Sequence, residues 1–213
     1  MDRPAPHVLK IDPGAAAPPD LAPAAAWLAR GGIVAFPTDT FYGLAVDPAS
    51  PAAVQALFDL KGRDASVAVP LIAASLAQVD AFCGPLTGAT RRLALAFWPG
   101  PLSLVCAAPA RVAPAVHAGR GTVAIRVPAH DIARALATAF GAPITATSAN
   151  ASGAPPARTA GDLAAIADDV RLLILDAGAA PGGAPSTIVN AEVDPPELIR
   201  AGAIAWDRVL LSL

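Results

Sequence analysis

The sequence predicts a single α/β domain in which a twisted, mixed sheet is flanked by helices. Three observations carry that expectation. Short apolar runs bounded by Gly and Pro alternate along the chain with segments of helical length and pattern. No repeat period or long linker interrupts the alternation. At 213 residues, with 54% hydrophobic and 15% charged residues, the chain is long enough for one sizeable core and too apolar for a disordered segment. Residues 1–19 read as a Pro-rich, irregular segment with an edge strand at 7–11, and residues 20–213 as the domain.

Asp20 is placed to cap a helix running to about Arg30, with Trp27 and Leu28 on its buried side and Gly31 at its exit. The apolar run 33–36 is a buried strand, and Pro37, which has no amide hydrogen, ends it or marks an edge. Just beyond, Thr38, Asp39, Thr40 and Tyr42 gather polar groups, and Gly43 allows a tight turn. Polar side chains at the end of a buried strand are where α/β sheets place ligands. Ser50-Pro51 is an N-cap and first-turn pair for a helix through Leu60, which ends at Lys61-Gly62-Arg63. A cation there has an ordinary account, favourable charge near a helix C-terminus. A lysine at a helix end is also expected to be dispensable for folding.

Residues 67–73 read as a second buried strand and 87–97 as a helix. Trp98-Pro99-Gly100-Pro101 is a stiff turn into a strand at 102–107. Residues 111–121 are loop, with His117 solvated. Residues 122–127 alternate as a half-buried strand carrying Arg126 near its end. His130-Asp131 opens a helix at 132–140 that Gly141-Ala142-Pro143 stops. A strand at 144–147 then runs into Ser148-Ala149-Asn150. A helix near 161–167, an apolar strand at 172–175, short strands at 187–189 and 198–200, and a terminal helix at 206–213 complete the order.

Composition excludes several functions. The net charge is −2 and no Lys/Arg-rich run is present, so the chain has no broad electrostatic footprint for nucleic acid. The cysteines, Cys83 and Cys106, provide neither a disulfide framework nor metal-ligand spacing, which fits a reduced compartment. Without an apolar leader or a spanning stretch of about 20 residues, a soluble cytoplasmic protein away from membranes is expected. Neither GxxxxGK[ST] nor a GxGxxG between strand and helix occurs. Lys10 and Lys61 are the only lysines, which singles out Lys61 in a chain that otherwise uses Arg.

Seven blocks carry a family resemblance: PTDTFYGL (37–44), KGR (61–63), FWPGPLSLV (97–105), TVAIRVP (122–128), TSANASG (147–153), PSTIV (185–189) and IRAGAI (199–204). In this order they closely resemble the YrdC-like family, the threonylcarbamoyl-AMP synthases of tRNA modification, whose first block is approximately PTDTVYGL. The resemblance implies the YrdC/RibB-like α/β fold and a nucleotidyltransferase that makes L-threonylcarbamoyl-AMP from L-threonine, bicarbonate and ATP with release of pyrophosphate. It implies Mg2+ accompanying ATP with no protein metal ligand. The product would pass to a tRNA threonylcarbamoyl-transferase complex for modification next to the anticodon, with weak or no direct tRNA binding.

Residue by residue, the resemblance implies that Lys61 and Arg63 are the catalytic pair facing the phosphates. With Thr122, Ser148, Asn150, Pro156 and Arg200 they would bind the nucleotide. Thr38, Arg126, Ala146 and Ser186 would hold threonine, with Arg126 suited to a two-pronged grip on its carboxylate. The chain departs from the family after KGR: where a further basic residue and then a His are usual, it has DASVAVPLI (64–72), with Ile72 at the His position. A replacement cation is expected, either Arg200 or, favoured because loop 151–160 could close over a ligand, Arg158. Two other readings remain: a module of the same fold that binds nucleotide or double-stranded RNA without turnover, and a carbamoyl-transferring domain of hydrogenase maturation. The latter belongs to longer chains with zinc-finger segments, which this sequence lacks.

Overall fold

The computed structural model describes residues 7–12, 14, 19–62, 66–166 and 171–213. Its strands are β1 His7–Lys10, β2 Ile33–Phe36, β3 Gly43–Ala45, β4 Leu71–Ile72, β5 Leu102–Ala107, β6 Thr122–Arg126, β7 Ile144–Thr145, β8 Thr147–Ser148, β9 Leu172–Asp176, β10 Thr187–Asn190 and β11 Glu197–Arg200. Its helices are α1 Ala22–Ala29, α2 Pro51–Lys61, α3 Leu76–Cys83, α4 Gly88–Phe97, α5 Asp131–Phe140 and α6 Trp206–Leu210, with a 3-10 turn at Ala160–Ala165. The mixed α/β class is as the sequence predicts, but the strands divide between two sheets. One has the order β1-β9-β2-β3-β8 and the other β11-β10-β5-β6-β4-β7.

The two faces of β2 show how the layers meet. All four of its residues are buried, and successive side chains of a strand point to opposite faces. Val34 and Phe36 pack with Leu28 of α1 and Leu136 of α5. Ile33 and Ala35 face the larger core, which holds Val54 and Leu57 of α2 and Leu102, Leu104 and Ile125 of the second sheet. A strand covered on both faces reads as a continuous apolar run.

Helix α2 forms as its caps require. Ser50 Oγ accepts the amide of Ala53, Pro51 opens the first turn, and Gly62 takes the left-handed conformation (φ 57°) that ends the helix. At α1 the N-cap is Leu21, while Asp20 Oδ1 accepts the amide of Ala22. Helix α3 has only a weak sequence signal, because just Val79 and Phe82 of its eight residues are buried.

Two predicted strands change. The ladder expected over 67–73 is only Leu71–Ile72: Pro70 cannot donate, and the amide of Val69 turns to Val116 O (2.8 Å). The strand expected at 144–147 is cut at Ala146. Before it, β7 pairs with β4 in the second sheet; after it, β8 pairs with β3 in the first. The chain therefore passes between sheets at Ala146. His117 is half-buried rather than solvated, and its Nδ1 accepts the amide of Gly121. Both cysteines are free, and none of the described helices is long and apolar enough to cross a membrane.

Candidate functional site

Strand ends from both sheets border one cleft of about 690 Å3. The polar stretch after β2 forms one wall, and its conformation is held from within. Thr38 Oγ1 donates to Phe41 O (2.7 Å) and accepts the amide of Thr40 (3.1 Å). The Thr40 carbonyl accepts the amide of Gly182 (2.6 Å). Tyr42 is fully buried, and its hydroxyl donates to Gly178 O (2.7 Å); burial raises its pKa above the usual phenol value. The Tyr42 backbone takes the amide of Ala149 and gives its own to Ala157 O, which ties this wall to the Ser148-Ala149-Asn150 turn.

Lys61 lies beneath that turn. At 4% exposure it is not the solvent-facing helix-end cation that its position in α2 suggested. Its ammonium donates to Ser148 O (2.5 Å), Asn150 O (2.9 Å) and Asn150 Oδ1 (2.9 Å), and its carbonyl accepts the amide of Ser152. Ser148 Oγ donates to Asn150 Oδ1 (2.7 Å), and Asn150 Nδ2 donates to Ala154 O. Lys61, Ser148 and Asn150, three of the seven residues implied at the phosphates and nucleotide, thus form one network. Arg63 lies outside the described residues, as do Asp64 and Ala65.

The opposite end of the cleft is built from β6, β10 and β11. Arg126, at the end of β6, is nearly buried and pairs with Asp39 (Nη1–Oδ1, 2.6 Å; side chains 8% and 11% exposed). The other Asp39 oxygen accepts the amide of Ala129 (3.2 Å). This partnership, across 87 residues, was not anticipated. Ser186 is buried; its hydroxyl lies 3.1 Å from that of Ser103 and accepts Arg200 Nη2 (3.0 Å), while its carbonyl accepts Arg200 Nη2 (2.8 Å) and Nε (3.1 Å). Partial burial, and secondarily the Arg126 charge, lower the Arg200 pKa from its ordinary value.

The remaining implied residues also border the cleft: Thr122 at the exposed start of β6, Ala146 at the crossing between sheets, and Pro156 in the loop after the turn. Ile72 contributes to the wall at the position where the family has His. Arg158, the favoured replacement cation, does not. It is held by the 178–183 segment, donating from Nη2 to Pro181 O (3.1 Å), with its carbonyl accepting Ala180 N (2.7 Å). Arg120, which sequence reasoning passed over, does line the cleft. No Asp or Glu is among the described lining residues, and the described residues contain no cluster of His, Cys, Asp or Glu able to hold a metal.

Behind the Asp39–Arg126 pair, His130 caps α5 and its Nδ1 is buried without a partner among the described residues. Burial pushes its pKa below the ordinary 6.5; Asp39 and Asp131 oppose that shift, and Arg134 and Arg126 add to it. The native protein therefore takes up a proton on this imidazole at a lower pH than the unfolded chain, which does so near pH 6.5. The resulting stability is complete above that pH and is lost as the pH falls towards the folded-state value. Thermal midpoints are expected to drop between pH 7.5 and 5.5, and His130→Phe should flatten that drop. An equally steep profile in the folded variant would assign the dependence to another group.

The sequence matches the Sua5/YciO/YrdC family profile, described as telomere recombination, over residues 26–202. It is 37% identical over 192 residues to the threonylcarbamoyl-AMP synthase of Bacillus subtilis (90% of this chain, 56% of that one). Against the synthase of Thiobacillus denitrificans it is 39% identical over 165 residues (78% and 87%). The structure superposes on P. abyssi Sua5 complexed with L-threonine with a TM-score of 0.85 and 31% identity, over 97% of this chain and 60% of that one. The chain thus spans little more than half the length of the Bacillus and P. abyssi relatives.

Proposed function

The chain belongs to the Sua5/YciO/YrdC family, and on that premise we propose that it makes L-threonylcarbamoyl-AMP from L-threonine, bicarbonate and ATP. The observation that carries this reading is the convergence on one cleft of Thr38, Arg126, Ala146 and Ser186 with Thr122, Ser148, Pro156 and Arg200. The names of the relatives and the bound threonine of P. abyssi Sua5 support it. In this reading threonine and bicarbonate combine into a carbamate on the threonine nitrogen, with loss of water. A carbamate oxygen attacks the α-phosphorus of ATP, the bond to the β-phosphate oxygen breaks, and pyrophosphate leaves.

Both partners in that attack are anions, so the cleft must supply cations and hydrogen-bond donors rather than a covalent nucleophile. Arg126 has one nitrogen committed to Asp39 and offers the others to the threonine carboxylate. Thr38, Ala146 and Ser186 frame the rest of the amino acid. Lys61 and Arg63, with the Ser148–Asn150 turn, Thr122, Pro156 and Arg200, serve the nucleotide. With no carboxylate among the described lining residues, a magnesium ion would be held by phosphate oxygens and water, and would screen phosphate charge. The mixed anhydride is labile, so a tRNA threonylcarbamoyl-transferase complex in the cytoplasm is the proposed recipient.

Pyrophosphate release is expected to require threonine and bicarbonate together, because the attacking oxygen belongs to their adduct. Serine should be used less well if the threonine methyl is contacted, by about 1–3 kcal/mol in transition-state binding. ATP cleavage at an equal rate without an amino acid would overturn the synthase reading. ATP binding without pyrophosphate release would favour a binding module of the same fold.

A further inference from the structure

We propose that Arg120 contacts the distal phosphates of the nucleotide, taking the place of the basic residue missing after Lys61-Gly62-Arg63; this inference rests on the ATP reading of the cleft. Lys61, Arg120, Arg126 and Arg200 are the cations in or against the cleft among the described residues. Three of them are already engaged. Lys61 holds three acceptors of the 148–150 turn. Arg126 is paired through Nη1 with Asp39 and keeps its other nitrogens for the threonine carboxylate, and Arg200 holds Ser186 through two nitrogens. Arg120 is exposed and lines the cleft, and its guanidinium has no hydrogen-bond or ion-pair partner among the described residues.

Its backbone, in contrast, is fixed. Ala118 (φ 49°), Gly119 (φ 71°) and Gly121 (φ 73°) adopt left-handed conformations around it, a region that only glycine enters without strain. Gly119 N donates to Pro114 O (3.2 Å), Arg120 N to His117 O (3.0 Å) and Gly121 N to His117 Nδ1 (3.2 Å). His117 thereby holds the turn from both of its acceptors and sets Arg120 two residues before Thr122, which is implied at the nucleotide. An anchored backbone carrying an unengaged guanidinium suits a polyanion, since Arg binds phosphate through two parallel charge-assisted hydrogen bonds. The missing family lysine would have come from the chain after α2, so Arg120 supplies equivalent charge from the start of β6.

The test measures ATP, AMP and threonine binding to the full chain by calorimetry, for wild type, Arg120→Gln and Arg120→Lys. Arg120 is exposed, so both variants should melt as the wild type does. Arg120→Gln is expected to weaken ATP binding by roughly 10- to 100-fold, the loss of a hydrogen bond to a charged group. It should leave AMP and ATP-free threonine binding within about twofold, and Arg120→Lys should recover part of the ATP loss because it keeps the charge. ATP binding by Arg120→Gln at wild-type affinity overturns the proposal, and so does an equal loss for AMP. A wild type that binds threonine but no ATP overturns the nucleotide reading itself, and this assignment with it.

Discussion

Lys61→Met should cost both folding stability and turnover. The substitution keeps most of the aliphatic stem but leaves Ser148 O, Asn150 O and Asn150 Oδ1 without the donor that now serves all three. Leaving one buried acceptor unsatisfied costs about 1–3 kcal/mol, and water can reach part of this turn, so a total on the order of 3 kcal/mol is expected. The measurement is the urea midpoint at an unchanged m-value. Hydrogen exchange locates the loss: the amides of Ala149 and Ser152, bonded to Tyr42 O and Lys61 O, should lose protection before those of β2. Pyrophosphate release should fall further than stability accounts for, since the same residue is proposed to face the phosphates. A variant as stable as wild type with intact protection at 149 and 152 would reduce Lys61 to a purely electrostatic role.

Asp39→Asn should be comparably severe, for a different reason. Arg126 is 7% exposed, and removing its carboxylate leaves a nearly buried guanidinium uncompensated, which costs about 3–5 kcal/mol where an ion pair is broken from one side. The substituted amide would also keep only one acceptor oxygen for the two donors, Arg126 Nη1 and Ala129 N, that now use both carboxylate oxygens. Threonine should partly repair the defect, because its carboxylate supplies the missing anion and a ligand that binds only the native state stabilises it by mass action. Saturating threonine is therefore expected to raise the melting temperature of Asp39→Asn by more than it raises that of wild type. An equal or smaller rise would separate Arg126 from the threonine carboxylate. A cycle with Arg126→Met should show coupling between the two positions, since each single variant strands the other charge.

Residue patterns alone determined the α/β class, the buried strand β2 with the polar stretch after it, and the ends of α2. They also singled out the blocks on which family membership rests. These features depend on local physics: a side-chain period of two, a missing amide at Pro37, a hydroxyl cap at Ser50 and a left-handed exit at Gly62. Each is complete within a few residues of chain. What only the tertiary structure decided depends on distance in space. Ala146 reads as the interior of one strand, yet it is where the chain changes sheets, because β4 and β3 recruit the residues on either side of it. Lys61 reads as a helix-end charge, yet it is buried, because the turn it supports returns 87 residues later. Asp39 and Arg126 each read as a separate polar site residue, and Arg120 as loop. Hydrophobic periodicity tells which face of an element is buried, but it does not name the partner across the fold. The pairing of Asp39 with Arg126, and the absence of any such pairing for Arg120 among the described residues, were set by how the two sheets pack against each other.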